Sequence, residues 1–407
     1  MIKNFKFLFG SYLSFIFIVA AYILFSLHND TTNSMSEWVI NYQGGFTRRG
    51  FLGEIIFQLS MLLDFELRSG FLILQITTYF LYFFSLFYFF KNIKTNYIFL
   101  LAIFSPIFFL FSLAELEALG RKDILMFSVF LINFIIYEKY NNPNLNYIYF
   151  LFTFPIVFLT HEIYIIYLPY LFFFFIVIEK NLNFKFFLKI SILIFYIIFF
   201  LYLINNINFS AENLNLLCKN LLEKKNEACG LAPHSMIVDL SAYRSEVGWK
   251  ATHITRYLLF FLIGSGGLIL SIYYSTFNLK KVNFFVNKLN FKILFIIIAL
   301  PSVLPFLTAV DSGRYLSMAY TMPCITFFSL YKLRIILVDF DKMKKDLALL
   351  IPKNKRLRIF FFILVCFTWS PKAVYHEDTA SLPIYRLIEK IPNFYPNFIN
   401  EIKKINK

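Results

Sequence analysis

Apolar residues come in long, uninterrupted runs along most of this chain, separated by short polar stretches. Runs near twenty residues match the length that an α-helix needs to cross a bilayer core of about 30 Å. A membrane β-barrel would instead alternate apolar and polar positions over about ten residues. The pattern predicts an all-α polytopic membrane protein with about 11 transmembrane helices, near residues 5–27, 70–90, 97–113, 123–137, 147–160, 163–178, 184–204, 254–276, 291–310, 315–336 and 359–372.

The segment 51–63 decides the sidedness of every later loop. It reaches only about 20 Å as a helix, and its apolar residues fall on one face, which is typical of a helix lying in the membrane interface. Leaving it out of the spans places the lysine-bearing connections on the same side as the N-terminus, as the positive-inside rule requires. We therefore predict a cytoplasmic N-terminus, an extracytoplasmic interfacial helix at 51–63 and an extracytoplasmic tail at 370–407.

Two further stretches bear on the organisation of the chain. The run 147–178 is too long for one upright span, so a bend at His161-Glu162 is expected. The remaining long loop, 205–253, is predicted to be an extracytoplasmic subdomain of a single membrane domain that covers residues 1–407. Cys218 and Cys229 both lie in this loop, where they form either a disulfide or two unpaired thiols.

Composition excludes several classes of function. The chain is 59% hydrophobic with a net charge of +15, but it has no basic stripe on a soluble domain and no recognition motif, so nucleic acid is not an expected partner. It also lacks a Walker loop, a dinucleotide fingerprint and an HExxH motif. No cofactor is predicted, and one His-Glu pair offers too few ligands to support a divalent metal.

Basic residue types divide unequally between the two predicted sides. Of 28 lysines, 18 fall inside, whereas 8 of 11 arginines fall outside. Lysine suffices for orientation in the membrane, but a planar guanidinium offers paired donors that match phosphate or carboxylate. The outward arginines therefore indicate recognition of an anion.

The segment 41–50 combines Gly44 and Gly45 with Arg48 and Arg49, just ahead of the predicted interfacial helix. Glycines let the backbone approach a ligand closely, and a helix N-terminus adds free amides and partial positive charge. We interpret this segment as a phosphate-binding cradle. A basic anchor that contacts lipid phosphates is the alternative.

The turn 115–123 carries five charges between two spans, and Arg121, Lys122 and Asp123 are its candidate phosphate-binding residues. A short turn between spans does not need so many charges. The alternative is a solvated turn with internal ion pairs, because exposed pairs cost little to keep.

Two more polar positions interrupt apolar runs. His161 and Glu162 can transfer protons where burial without partners is expensive, so they are candidate catalytic residues; a wetted hairpin tip is the alternative. Asp311 and Arg314 could accept a proton and hold a phosphate, or could form a salt bridge that fixes the hairpin.

The Gly-Phe-x-Arg-Arg-Gly-x-x-Gly string at 45–53 and the layout of outward loops resemble C-type membrane glycosyltransferases and the related O-antigen and capsule polymerases. The resemblance implies a polyprenyl-phosphate or diphosphate sugar donor and an acceptor hydroxyl activated by a carboxylate in the first outward loop. By position Glu37 matches this catalytic base best, ahead of Asp30 and Glu54. In polymerases of this class arginines can be central instead, which here points to Arg48, Arg49, Arg121 and Arg314.

The resemblance also implies a location and partners. We expect a multi-pass protein of a bacterial cytoplasmic membrane, in contact with membrane lipids and with other glycan-assembly proteins. A transporter or flippase for lipid-linked glycans is the alternative, since it would also need many spans and cationic residues.

Overall fold

The computed structural model describes residues 5–28, 33–115, 117–179, 182–234, 236–237, 251–305, 311–349, 351–373 and 380–381. The α-helices are α1 Phe5–Leu27, α2 Asn33–Ser36, α3 Phe51–Leu63, α4 Leu67–Phe90, α5 Tyr97–Ile103, α6 Phe111–Ala114, α7 Asp123–Tyr140, α8 Pro143–Thr160, α9 Leu168–Ile178, α10 Phe184–Asn205, α11 Ala211–Lys225, α12 Leu231–His234, α13 Ala251–Tyr273, α14 Phe284–Asn287, α15 Phe291–Ala299, α16 Ser312–Lys332, α17 Phe340–Asp346 and α18 Lys355–Phe367. Short 3-10 helices occupy Glu37–Val39, Glu162–Tyr167 and Leu300–Val303.

Four short strands complete the described structure. β1 (Ser275–Phe277) pairs antiparallel with β2 (Ile336–Val338), and β3 (Ser370–Pro371) pairs antiparallel with β4 (Ala380–Ser381). Because these pairings are only two or three residues long, the protein is all-α in its architecture, as the hydrophobic pattern predicts.

Five of the described helices are long and apolar enough to cross a membrane: α1, α4, α8, α10 and the part of α13 from His253 to Tyr273. The outermost of them, α10, leaves Phe184, Phe195 and Tyr202 exposed. An exposed apolar surface of this extent is typical of a face that contacts another apolar phase. These helices have the character of a membrane protein.

Aromatic rings fill much of the core. Phe90 on α4 packs edge-on against Phe9 of α1 and Phe328 of α16, with ring centroids 6.0 and 5.3 Å apart. Helix α16 is buried from Ser312 to Leu330, so it runs through the centre of the bundle. Its first turn therefore brings Arg314 into the interior rather than to the surface.

The predicted span 97–113 is wrong as one continuous helix. Helix α5 ends at Ile103, turns follow, and α6 begins only at Phe111. Pro106 lies between them; proline lacks an amide donor and disfavours helical backbone in the preceding residue. The Ser105 hydroxyl instead donates to the carbonyl of Gly264 on α13, at 2.7 Å.

Other predicted segments differ from the structure at their ends. The segment 163–178 starts as a 3-10 helix and becomes α-helical only at Leu168. The segment 291–310 is α-helical to Ala299 and 3-10 to Val303, and residues 306–310 lie outside the described part. The last predicted span, 359–372, corresponds to α18, which ends at Phe367.

The chain bends at His161. Helix α8 ends at Thr160, His161 has an extended backbone, and the 3-10 helix begins at Glu162. The following segment runs back along α8, so that the rings of Tyr147 and Phe175 lie 4.5 Å apart.

Helix α3 has the bounds that its apolar period predicts. Phe57 and Ser60 face the protein, while Ile55, Leu59 and Leu62 are exposed. The described part of the 205–253 loop packs on this region, because Leu217 and Leu221 of α11 share a hydrophobic cluster with Trp38 and Phe57.

Candidate functional site

The polar clusters singled out in the sequence meet around the carboxylate of Glu37. Its oxygens lie 4.0 Å from Nη1 of Arg49, 3.8 Å from Nη1 of Arg121, 4.0 Å from Nη2 of Arg314 and 3.6 Å from Nε2 of His161. These partners come from four separate parts of the chain, so the tertiary fold assembles one cluster from all of them.

Glu37 is buried to 1% exposure, yet neither carboxylate oxygen has a hydrogen-bond partner among the described residues. Burial opposes ionisation, but the guanidiniums of Arg121 and Arg314 hold the pKa of Glu37 well below its usual range. A buried ion that lacks hydrogen bonds is costly and uncommon. Its two oxygens therefore have unused capacity to accept hydrogen bonds.

Arg314 is the most highly paired cation of the cluster. Its Nε and Nη2 donate to the two oxygens of Asp123, at 2.6 and 2.8 Å, and its Nη1 donates to Asp311 at 3.2 Å. The paired, planar geometry is one that lysine cannot reproduce. Asp311 thus contacts the cluster through Arg314, and the predicted salt bridge of the hairpin is part of a larger network.

His161 is a neutral acceptor in this network. Burial and the positive charges of Arg49 and Arg314 lower the pKa of His161 to about 3. Nη2 of Arg314 lies 2.9 Å from Nε2 of His161, and a guanidinium has only donors, so Nε2 carries no proton. The 3.6 Å approach of His161 to Glu37 is consequently not an ion pair at neutral pH.

The carboxylate of Glu162 binds the guanidinium of Arg49. Nε of Arg49 donates to both oxygens of Glu162 at 2.9 and 3.0 Å, and Nη2 donates to one of them at 2.6 Å. Arg48 is more remote, with Nη1 3.6 Å from Glu162 and a side chain that is 44% exposed. Arg48 is therefore the cation of the pair that a solute can reach first.

Residues 118–123 of the 115–123 turn are buried, which does not fit a solvated turn. Arg121, Lys122 and Asp123 are 8%, 1% and 7% exposed. Lys122 donates from Nζ to the carbonyl oxygen of Arg49 at 2.7 Å. The turn thus contributes to the site through Arg121 and Asp123 and supports the 41–50 segment through Lys122.

The close backbone approach that Gly44 permits is to α11. An added Cβ at Gly44 would lie 2.1 Å from the carbonyl oxygen of Asn213. Side-chain amides of Asn213 and Asn220 donate to the carbonyls of Gly44 and Gln43 at 2.7 and 2.9 Å. Binding of an anion by Gly44 and Gly45 stays a prediction. The structure gives Gly44 a role against α11, and Gly45 has a φ of +118°, which favours glycine.

A Gly44→Ala substitution is expected to lower stability by about 1–3 kcal/mol, because the new methyl group collides with backbone rather than with a flexible side chain. The measurement is the thermal midpoint of the full chain in detergent. Gly266→Ala is the matched control, since a Cβ at this position in α13 meets nothing within 4 Å and alanine favours helix. Equal thermal midpoints for the two variants would show that the packing of α11 does not depend on Gly44.

Helix α11 is tied to the chain that follows it by a disulfide between Cys218 and Cys229. His234 lies close enough to these cysteines to complete a metal-ligand set. The disulfide occupies both sulfurs, however, which leaves His234 as the remaining ligand of the three.

Glu54 and Trp38 have positioning roles that were not predicted. Glu54 accepts from the amide of Tyr42 and from the side chain of Gln43, at 2.8 and 2.9 Å, so it closes the 41–50 segment onto α3. Trp38 donates from Nε1 to the carbonyl of Gly120. For Trp38, the sequence feature that could have indicated this role is its position next to Glu37. Asp30 lies outside the described residues.

No family model, curated protein or solved structure matches this chain. Inferences about its activity therefore rest on the geometry of the site.

Proposed function

We propose that this chain is an integral-membrane glycosyltransferase or glycan polymerase that uses polyprenyl-(di)phosphate-linked saccharides. In this proposal it crosses a bacterial cytoplasmic membrane about 11 times, with a cytoplasmic N-terminus, α3 in the outer interface and the 370–407 tail outside. The Glu37 cluster then lies at the outer leaflet, where a lipid carrier would present its sugar.

The observation that supports the proposal is the environment of Glu37. A buried, unbonded carboxylate lies beside three guanidiniums and a neutral imidazole. Transfer of a sugar from a phosphate requires removal of one proton and stabilisation of a leaving anion. The cluster brings together the residue types that can do both.

In the proposed reaction, the oxygen of an acceptor hydroxyl attacks the anomeric carbon of the donor sugar. The bond between that carbon and the phosphate oxygen breaks, and the lipid (di)phosphate leaves with the bonding electron pair. The hydroxyl proton moves to an oxygen of Glu37. Guanidiniums around this carboxylate stabilise the negative charge that develops on the departing phosphate.

The same guanidiniums make Glu37 a weak base before a donor binds, because they stabilise its charged form. A bound donor brings negative phosphate charge, which offsets the guanidiniums and raises the pKa of Glu37 toward the range useful for proton transfer. The donor is therefore expected to bind before the acceptor is activated. Arg48, the exposed cation, is the first contact we assign to the donor phosphate.

The test is glycan display in a deletion strain that is complemented with variants of this chain. Arg49→Lys is expected to reduce the amount of displayed glycan polymer by at least about tenfold, because lysine cannot form the bidentate bond that Arg49 makes with Glu162. Arg256→Lys is the matched control, since Arg256 is exposed at the start of α13. Glycan length on a gel and the leaflet of each lipid-linked intermediate are measured.

The two results separate enzyme from transporter. Short lipid-linked glycans that accumulate on the outer leaflet of the deletion strain, with rescue by Arg256→Lys and not by Arg49→Lys, support the transferase. Accumulation on the cytoplasmic leaflet alone would refute it and indicate a flippase.

A further inference from the structure

Lys122 is a buried cation whose ammonium group contacts a backbone carbonyl. Among the described residues, no acidic side chain lies within 4.0 Å of that group. Its Nζ donates to the carbonyl oxygen of Arg49 at 2.7 Å and lies 5.7 Å from the centre of the Trp38 ring. The residue is 1% exposed.

Arg49 has an unusual backbone conformation at the point that Lys122 contacts. Its φ is +69°, in the left-handed region that side chains with a Cβ rarely adopt. That conformation costs roughly 1–2 kcal/mol for a residue other than glycine. Something in the surrounding structure must therefore hold it, and the bond from Lys122 is made directly to this peptide unit.

We propose that Lys122 is a positioning residue whose ammonium group holds Arg49 in its left-handed conformation and so directs the Arg49 guanidinium toward Glu162 and Glu37. The inference rests on the proposed function for its catalytic consequence. The positioning itself can be measured without any assay of sugar transfer.

Lys122 is well suited to hold another residue because its own turn is fixed. The amide of Gly120 donates to the hydroxyl of Tyr79 at 3.0 Å. The carbonyl of Gly120 accepts from Nε1 of Trp38 and, at 3.3 Å, from the side chain of Gln75. Because α4 supplies both Gln75 and Tyr79, the turn is anchored to a long, packed helix.

The charges around Lys122 agree with this role. Burial and the neighbouring Arg49 lower the pKa of Lys122 to about 8, while Glu37 and Glu162 oppose that fall. The ammonium form therefore prevails at neutral pH. A charge-assisted bond to a carbonyl is stronger than a neutral one, which suits a group that must offset a strained backbone.

The consequence for the site follows from the two bonds at Arg49. One end of this residue is held through its carbonyl by Lys122, and the other end is held through its guanidinium by Glu162. If the first is lost, the backbone can relax out of the left-handed region and the guanidinium moves away from Glu37. Small displacements of a positioned group can cost a large part of catalysis.

The first measurement is backbone amide hydrogen exchange of residues 45–51 in the full chain in detergent. Lys122→Met keeps the apolar stem of the side chain but removes its donor, and exchange in this segment is expected to rise at least about tenfold. Lys122→Gln keeps a neutral donor on a shorter side chain, so about a threefold rise is expected. Lys219→Met is the control, because Lys219 is 67% exposed on α11.

These exchange rates decide the proposal. The proposal is overturned if residues 45–51 of Lys122→Met exchange at the wild-type rate. It is also overturned if the exchange rate of this segment rises equally in Lys219→Met. If Lys122→Met does not fold, Lys122→Gln is measured instead. An exchange rate equal to that of the wild type in Lys122→Gln then overturns the proposal.

Kinetics of sugar transfer test the catalytic consequence. With a positioning role, Lys122→Met lowers kcat by at least about tenfold with a nearly constant KM for the lipid-linked donor, and adds little to the loss already caused by Arg49→Ala. A raised KM with unchanged exchange would identify a phosphate ligand and overturn the inference. If the wild-type chain transfers no sugar, the proposed function fails, and the exchange rates still decide the role of Lys122.

Discussion

Arg314→Met is expected to destabilise the protein by about 3–5 kcal/mol, because it removes one partner of a buried ion pair. Arg314 is 3% exposed and bonds both oxygens of Asp123, at 2.6 and 2.8 Å. Methionine fills a similar volume but leaves the charge of Asp123 without its partner and Glu37 with one guanidinium fewer. The measurement is the thermal midpoint of the full chain in detergent.

Two further variants make this expectation specific. Arg356→Met, at an exposed position of α18, should leave the midpoint nearly unchanged. Arg314→Met combined with Asp123→Asn should be less destabilised than the sum of the single changes, since the double change removes the uncompensated carboxylate. A midpoint for Arg314→Met equal to that of Arg356→Met would show that the pair contributes no stability.

Glu37→Gln is expected to reduce sugar transfer by about 10²–10⁴-fold, the usual contribution of a positioned general base. The amide keeps the size of the side chain but cannot take up the hydroxyl proton. Initial rates with a purified lipid-linked donor measure the loss. Glu223→Gln, at an exposed position of α11, is the matched control and should retain the wild-type rate.

Glu37→Asp separates the base from a purely structural charge. It keeps the negative charge among the guanidiniums but moves the carboxylate back by one methylene group. We expect a thermal midpoint close to wild type and a rate well below it. Retention of most activity in Glu37→Gln would remove Glu37 from the mechanism and favour an arginine-based site.

The sequence indicated most residues of the Glu37 cluster but not their geometry. His161 and Arg314 stood out because charged residues rarely interrupt long apolar runs without a function. Arg49 stood out because it follows paired glycines, and Glu37 because its position matches the base that the resemblance implies. Their convergence could not be read from the sequence, since Asp123 and Arg314 are 191 positions apart. Nor could the neutral state of His161, which depends on burial and on neighbouring cations.

Lys122 and Gly44 show where local reasoning gave an incomplete answer. Both were assigned to phosphate from their neighbours in the sequence, and both make intramolecular contacts in the structure. A glycine that allows close approach does not specify what approaches it. Here the neighbour is α11, which follows more than 160 residues later in the chain.

By itself, the sequence determined the all-α class, the bounds of α3 and the bend at His161. These follow from local hydrophobic patterning, because an apolar run in a bilayer must satisfy its backbone hydrogen bonds within itself. The tertiary structure alone decided the burial of residues 118–123 and the partners of Glu37. Each of these depends on contacts between distant segments, and the free energy of a buried charge is set by the groups that surround it in space.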